Sequence, residues 1–190
     1  AGLIGGAAVF ALGAGHLLSG GIEAGTDGGA LLVLRDATLA AQARSEAAAM
    51  SEAVARVALA EWRGREEALG ARRELAWELT FNLRGMRGVA SMPHGRWIRH
   101  AYDRYVFRLR SMLWKRTYEE TLAALRAEGL PVEAAVGPSL AAQASMTDDR
   151  TQAATRLPRE MVALPLHAGL TSRDMDQAAA VLRKIERWAL

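Results

Sequence analysis

Two short apolar runs near the beginning of the chain predict buried strands. The first runs from Ala7 to Leu12 and the second from Ala30 to Leu34. Continuous apolar runs of this length, bounded by glycines, are typical of strands buried on both faces. The connection between the runs, from Gly13 to Gly29, is rich in glycine. Such a connection allows a ligand or another backbone to come close.

The segment from Asp36 to Arg84 has the periodicity of helices. Its apolar residues recur close to helical spacing, and charged residues occupy the other face. These apolar positions are Met50, Val54, Val57, Ala58, Trp62, Leu69, Ala76, Leu79 and Leu83. Gly64 and Gly70 weaken the pattern and allow two helices separated by a break or kink at the glycines.

After residues 92–95, which have turn composition, the period changes to two. Tyr105, Phe107 and Leu109 alternate with more polar residues and predict a half-buried strand. A helix is then expected from about Trp114 to Glu128, because a glycine and a proline follow it.

The last part of the chain predicts an irregular loop and a final helix. The segment from Pro138 to Pro158 is polar and reads as a mobile loop. The final helix is expected to start at Thr171, with Asp174 forming a variant capping box. Its expected apolar face is Met175, Ala178, Leu182, Ile185 and Trp188.

The order of these elements predicts an α/β fold in two parts. Early strands and a long helix, followed by strand, helix, loop and helix, describe the end of a large α/β domain joined to a small α/β domain. The boundary is expected along the long helix, so that residues 1–75 belong to the large domain and residues 76–190 to the small one.

Composition and charge favour a globular protein without nucleic acid or membrane as partner. The chain is 51% hydrophobic and 24% charged, with a net charge of +3. Its basic residues are interleaved with acidic ones, so no basic stripe for nucleic acid emerges. The apolar stretch from Ala1 to Leu18 contains five glycines and would make a poor membrane helix. The absence of cysteine fits a cytoplasmic location.

The polar residues exclude several kinds of site and leave one histidine of interest. His94, His100 and His167 read as surface or loop residues, and no histidine pair has metal-ligand spacing, so no metal site is expected. Ser19 lacks the G-x-S-x-G elbow of a serine hydrolase, and no phosphate-binding glycine motif is present. His16 differs because it lies in the glycine-rich connection between the two apolar runs.

Four stretches together carry a family resemblance. They are residues 9–20 followed by 27–32, residues 50–59, residues 100–109 with 122–132, and residues 164–171. The last, Leu-Pro-Leu-His-Ala-Gly-Leu-Thr, is the most specific. In this order they resemble the DegT/DnrJ/StrS group of sugar aminotransferases, which depend on pyridoxal 5'-phosphate (PLP). The resemblance covers the C-terminal half of that family's chain.

The resemblance implies a fold, a cofactor and a reaction. The fold would be the C-terminal portion of a fold-type-I PLP-dependent transferase, with the cofactor loop in residues 1–75. The reaction would be amino transfer to a keto-sugar or cyclitol. His16 stands at the position of the family's Schiff-base lysine, and Ser19, Gly28 and Gly29 are the residues expected near the cofactor. Family members form dimers, so a homodimer or a heterodimer with an aminotransferase-like chain is expected.

The chain departs from the family where the chemistry is done. An imidazole at His16 cannot form a stable aldimine with the cofactor. Ala11 replaces the serine that bonds the phosphate, and Leu12 replaces its aromatic neighbour. Residues 47–49 are alanines where the family has Gly-Tyr-Asn, and six extra residues, about 22–27, interrupt the loop.

These departures predict a degenerate or incomplete aminotransferase, that is, a pseudoenzyme. One alternative is a non-catalytic partner in a dimer with an active homologue. Another is a sugar dehydratase that binds PLP non-covalently and uses His16 as a base, since an imidazole titrates near neutral pH.

Overall fold

The chain divides into two compact units, and the boundary between them along the sequence falls within one long helix. A computed structural model describes residues 7–12, 29–46, 51–92, 98–137, 139–140, 151–167 and 169–189. The units are Ala1–Ala68 and Leu69–Leu190, referred to below as unit 1 and unit 2. The assignment of residues 1–75 and 76–190 to a large and a small domain stays a prediction.

Unit 1 contains a strand pair and helices. Strands β1 (Ala7–Leu12) and β2 (Gly29–Leu34) pair antiparallel. Helix α1 (Ala37–Glu46) begins after Asp36, whose carboxylate accepts hydrogen bonds from the backbone N–H groups of the first turn at 2.8 and 2.9 Å. Helix α2 (Glu52–Asn82) begins in unit 1 and ends in unit 2.

Two expectations for this region are wrong. Leu32 and Val33 in β2 are 46% and 43% exposed, so this strand is not buried on both faces; it belongs to a two-stranded sheet within the described residues. Helix α2 also runs without interruption through Gly64 and Gly70. The glycines lower helix propensity, but the turns on either side maintain the helix.

Unit 2 is a four-stranded antiparallel sheet packed against helices. The strands β3 (Val89–Ser91), β4 (Arg104–Leu109), β5 (Glu133–Ala134) and β6 (Met161–Pro165) lie in the order β3-β4-β6-β5. The helices are α3 (Tyr118–Ala127), the short α4 (Gln152–Arg156) and α5 (Ser172–Ala189). The predicted alternation in β4 is confirmed, because Tyr105, Phe107 and Leu109 are buried.

The hydrophobic core of unit 2 joins the sheet to α2, α3 and α5. Its fully buried large side chains include Leu79, Tyr105, Phe107, Leu125, Val162, Leu166 and Leu182. The predicted face of α5 is confirmed for Met175, Ala178, Leu182 and Ile185. Trp188 is 77% exposed, since helical spacing carries the buried stripe from Ile185 to Ala189 instead.

Two predicted boundaries in unit 2 are corrected. Helix α3 starts at Tyr118, later than expected, because the Thr117 side chain caps it in a capping box with Glu120. The segment expected to be a loop ends in α4 and a 3-10 turn at Leu157–Arg159, while residues 138 and 141–150 lie outside the described part. Among the described helices, none is long and apolar enough to cross a membrane.

Candidate functional site

The predicted cofactor loop leaves and re-enters the strand pair at neighbouring positions. Leu12 at the end of β1 lies opposite Gly29 at the start of β2, and Ala11 lies opposite Ala30. The register therefore brings the two ends of the 13–28 connection together. Gly29 is the predicted site residue that the structure places, as the first residue of β2. His16, Ser19 and Gly28 lie outside the described residues, and their roles stay predictions.

The residues at these strand ends do not fit a covalently held PLP. Ala11 and Leu12 carry only hydrocarbon side chains, which cannot donate hydrogen bonds to a phosphate. The segment 1–34 contains no lysine, and the two lysines of the chain are Lys115 and Lys184 in unit 2. A phosphate bound here would need other donors, such as the hydroxyl of Ser19, whose role stays a prediction.

Lys184 is also poorly suited to Schiff-base chemistry. Its Nζ donates to both carboxylate oxygens of Glu128, at 2.6 and 2.8 Å. This ion pair with Glu128 would have to break before the amine could attack an aldehyde.

A strained corner at the start of β4 was not predicted from the sequence. Tyr102 has φ of 47°, a conformation that non-glycine residues rarely adopt. Its backbone N–H donates to Nδ1 of His100 at 2.9 Å, and the two rings lie 4.3 Å apart. Arg73 Nε donates to the His100 carbonyl at 3.0 Å, and burial raises the pKa of Tyr102. Nothing in the local sequence distinguishes this corner from an ordinary loop.

A cavity of about 420 Å³ lies between the α3–β5 turn, the end of β6 and α5. Its walls are largely apolar, with Glu128, His167 and Asp174 among the polar groups that line it. Hydrogen bonds from the Thr171 hydroxyl and backbone N–H lower the pKa of Asp174. His167, expected at the surface, is exposed and also contributes to this wall.

Glu160 is a buried polar residue that was not predicted from the sequence. It lies just after the segment that was expected to be a loop. Its side chain is almost completely buried and accepts from Arg108 Nε at 2.7 Å and Ser111 Oγ at 2.8 Å. Arg156 Nε lies 3.5 Å away. This cluster joins the start of β6 to the end of β4, which favours a structural role.

Among the residues that the structure describes, no three His, Asp or Glu side chains lie close enough together to bind a metal ion.

Comparison with solved structures identifies the fold. The aminotransferase TlmJ from Streptoalloteichus hindustanus is 21% identical, and the match covers 98% of this chain and 54% of that one with a TM-score of 0.78. DesI, solved in the presence of its TDP-sugar product, is 22% identical over 97% of this chain and 50% of that one, with a TM-score of 0.79. A DegT DnrJ EryC1 StrS aminotransferase from Brucella abortus is 20% identical over 96% and 51%, with a TM-score of 0.71.

These matches confirm the predicted fold class. The chain spans about half the length of the solved structures it matches, as expected of a C-terminal portion. At 15–22% identity, the likeness shows a shared fold. No protein-family model matches the chain, and no curated protein is significantly similar to it.

Proposed function

We propose that the chain is the C-terminal portion of a DegT/DnrJ/StrS-type sugar aminotransferase-like protein that has lost lysine-dependent transamination. The shared fold and the four ordered sequence stretches support the family. Ala11 and Leu12, which stand in place of the family's serine and its aromatic neighbour, support the loss of transamination. PLP supplies an electron sink for amino transfer when it is bound in such enzymes.

The observation that carries this proposal is the lysine distribution. Transamination of this type begins with a lysine amine, and β1, β2 and the connection between them have none. The family's lysine position holds His16 instead. An imidazole can accept or donate a proton, but it cannot replace the amine as a stable covalent anchor.

For the role that remains, we favour a non-catalytic partner of an aminotransferase-like polypeptide. None of the described side chains in unit 1, residues 32–46 and 51–68, is buried. A two-stranded sheet with exposed apolar residues is at best marginally stable by itself. The matched structures are about twice as long as this chain. The exposed apolar side chains of Leu32 and Val33 suit an aminotransferase-like polypeptide with a complementary apolar surface as the partner.

The loss of lysine chemistry can be tested with the whole chain and added PLP. The chain is mixed with PLP, reduced with borohydride and mapped by mass spectrometry for a pyridoxyl-lysine. We expect no stoichiometric adduct at Lys184 and no amino transfer from glutamate to PLP. The triple variant Ala11→Ser/Leu12→Phe/His16→Lys restores the family residues and is expected to gain an adduct at residue 16. Glutamate-dependent conversion of PLP to pyridoxamine 5'-phosphate by the unmodified chain would contradict the proposal.

The partner role is tested by co-expression and co-purification with an aminotransferase-like chain. A stable complex that buries Leu32 and Val33 is the expected result. A stable, fully folded monomer with no partner would exclude this role. Glutamate-dependent loss of a sugar hydroxyl, abolished by His16→Ala, would instead identify the histidine-based dehydratase.

A further inference from the structure

Two basic segments of unit 2 meet at one end of the sheet. Strands β3 and β4 pair so that Val89 lies opposite Leu109. The turn before β3 and the segment after β4 are therefore neighbours, and the Arg110 N–H donates to the Gly88 carbonyl at 2.8 Å. Between them lies a cavity of about 310 Å³, lined by Arg87, Met112, Leu113, Trp114 and Lys115.

One wall of this cavity is held in place by a specific contact. Trp114 is buried, and its indole Nε1 donates to the Gly88 carbonyl at 2.8 Å. A Cβ atom at Gly88 would lie 2.6 Å from the same nitrogen, so the indole occupies the space that a side chain would need. The backbone N–H of Lys115 donates to the Ala189 carbonyl at 2.8 Å, which fixes the opposite end of the segment.

The charge on this cavity is positive. Arg87 and Lys115 line it, and no carboxylate is among the lining residues. Within the described residues, neither of these cations takes part in an ion pair. The nearby carboxylates have other contacts: Glu186 accepts from the Gly88 N–H, and Glu160 accepts from Arg108 and Ser111.

We propose that this cavity binds a small phosphate monoester with an apolar or aromatic group. A phosphate monoester carries about −1.5 to −2 charges at neutral pH, which matches the two cations. The guanidinium of Arg87 and the ammonium of Lys115 would supply charge-assisted hydrogen bonds. Met112 is 98% exposed and Leu113 is partly exposed, so both offer apolar surface beside the cations. The site lies wholly in unit 2 and is independent of the proposed function.

The test uses phenyl phosphate as the probe and the full chain as the receptor. Binding is measured by calorimetry and by the shift of the Trp114 indole N–H resonance, assigned with Trp114→Phe. We expect phenyl phosphate to bind, and neutral phenol to bind at least about tenfold more weakly, because it lacks the charged contacts. Met112→Ser should lower the affinity for phenyl phosphate but leave the affinity for inorganic phosphate unchanged.

Matched variants distinguish specific binding in this cavity from general electrostatic attraction to a basic protein. Arg87→Gln/Lys115→Gln should lower the affinity for phenyl phosphate by about tenfold or more. Arg63→Gln/Arg173→Gln removes the same charge from exposed positions elsewhere and should leave the affinity unchanged. An equal loss in both double variants, or no binding by the unmodified chain, overturns the proposal. If the first pair fails to fold, the charge reversal Lys115→Glu tests the same contact alone.

Discussion

At Gly88, the lack of a side chain decides where the Trp114 indole lies. A Cβ atom there would come within 2.6 Å of the indole nitrogen and 2.9 Å of a ring carbon. We expect Gly88→Ala to displace the indole, break its bond to the Gly88 carbonyl and lower the free energy of unfolding by about 1–3 kcal/mol. Denaturant unfolding followed by circular dichroism measures this change.

Gly137→Ala is the matched control for this substitution. Gly137 has no atom within 4 Å of an added Cβ and is exposed. Its replacement should leave the free energy of unfolding nearly unchanged. If the two alanine variants unfold at the same denaturant concentration, the contact with Trp114 does not constrain residue 88.

Glu160 makes the stability of unit 2 depend on pH. Burial alone would raise the pKa of its carboxyl, but hydrogen bonds from Ser111 and Arg108 and the charges of Arg108 and Arg156 together lower it below the ordinary 4.5. A carboxyl with a lowered pKa stabilises the folded state above its ordinary pKa, and this contribution is lost as the pH falls through the lowered value. Acid should therefore destabilise unit 2 below about pH 4.5.

We expect Glu160→Gln to lower the free energy of unfolding by about 2 kcal/mol at neutral pH, because charge-assisted hydrogen bonds are lost. The difference from the unmodified chain should shrink as the pH falls below 4.5. Denaturant unfolding at a series of pH values measures this difference. Glu74→Gln, at an exposed position, should change little. A difference that stays constant down to strongly acidic pH would show that shape, rather than charge, explains the effect at Glu160.

At the scale of the elements, the glycines of helix α2 allowed a break in the predicted helix that the structure does not contain. Gly70 lowers helix propensity, yet the helix continues through it and an added Cβ would meet no atom within 4 Å. We therefore expect Gly70→Ala to raise the free energy of unfolding by about 0.5–1 kcal/mol, through reduced freedom of the unfolded chain. Calorimetry of the full chain measures this; an unchanged or lower stability would mean that residue 70 needs the flexibility of glycine.

Elements with strong periodicity were predictable because one face of each packs on a core. The alternation in β4 and the stripe from Met175 to Ile185 in α5 both follow the burial found in unit 2. The apolar composition of β2 led to the wrong expectation that both of its faces are buried. An apolar run shows that a strand can be buried, but it does not show which layer covers it. The strain at Tyr102 could not be predicted, since it depends on contacts with His100.

For the whole molecule, the fold class was predictable from the order of elements and from motifs such as residues 164–171. The site was only partly predictable. The sequence shows that the lysine is absent, but the position of His16 lies outside the described residues. The cationic cavity at Arg87 and Lys115 brings together segments that are distant in sequence, and only the pairing of β3 with β4 makes them neighbours.

The two units are expected to differ in stability, and hydrogen exchange can measure the difference. Unit 2 has a continuous core, whereas the described side chains of unit 1 include none that is buried. Exchange from unit 1 therefore requires only local opening, with little apolar surface exposed. We expect amides of β1 and β2 to be protected at least about tenfold less than those of β4 and β6 in the isolated chain.

The same experiment tests whether another polypeptide covers unit 1. Addition of an aminotransferase-like partner should raise protection in β1 and β2, because binding stabilises the ordered strands by mass action. Leu32→Ser/Val33→Ser should reduce that gain in protection without changing exchange in β4 and β6. Met112→Ser also replaces an exposed apolar side chain with serine, but it lies in unit 2 and should leave the gain in β1 and β2 intact. Equal protection of both units in the isolated chain would show that unit 1 is stable without a partner, and the exposed β2 side chains would then need another explanation.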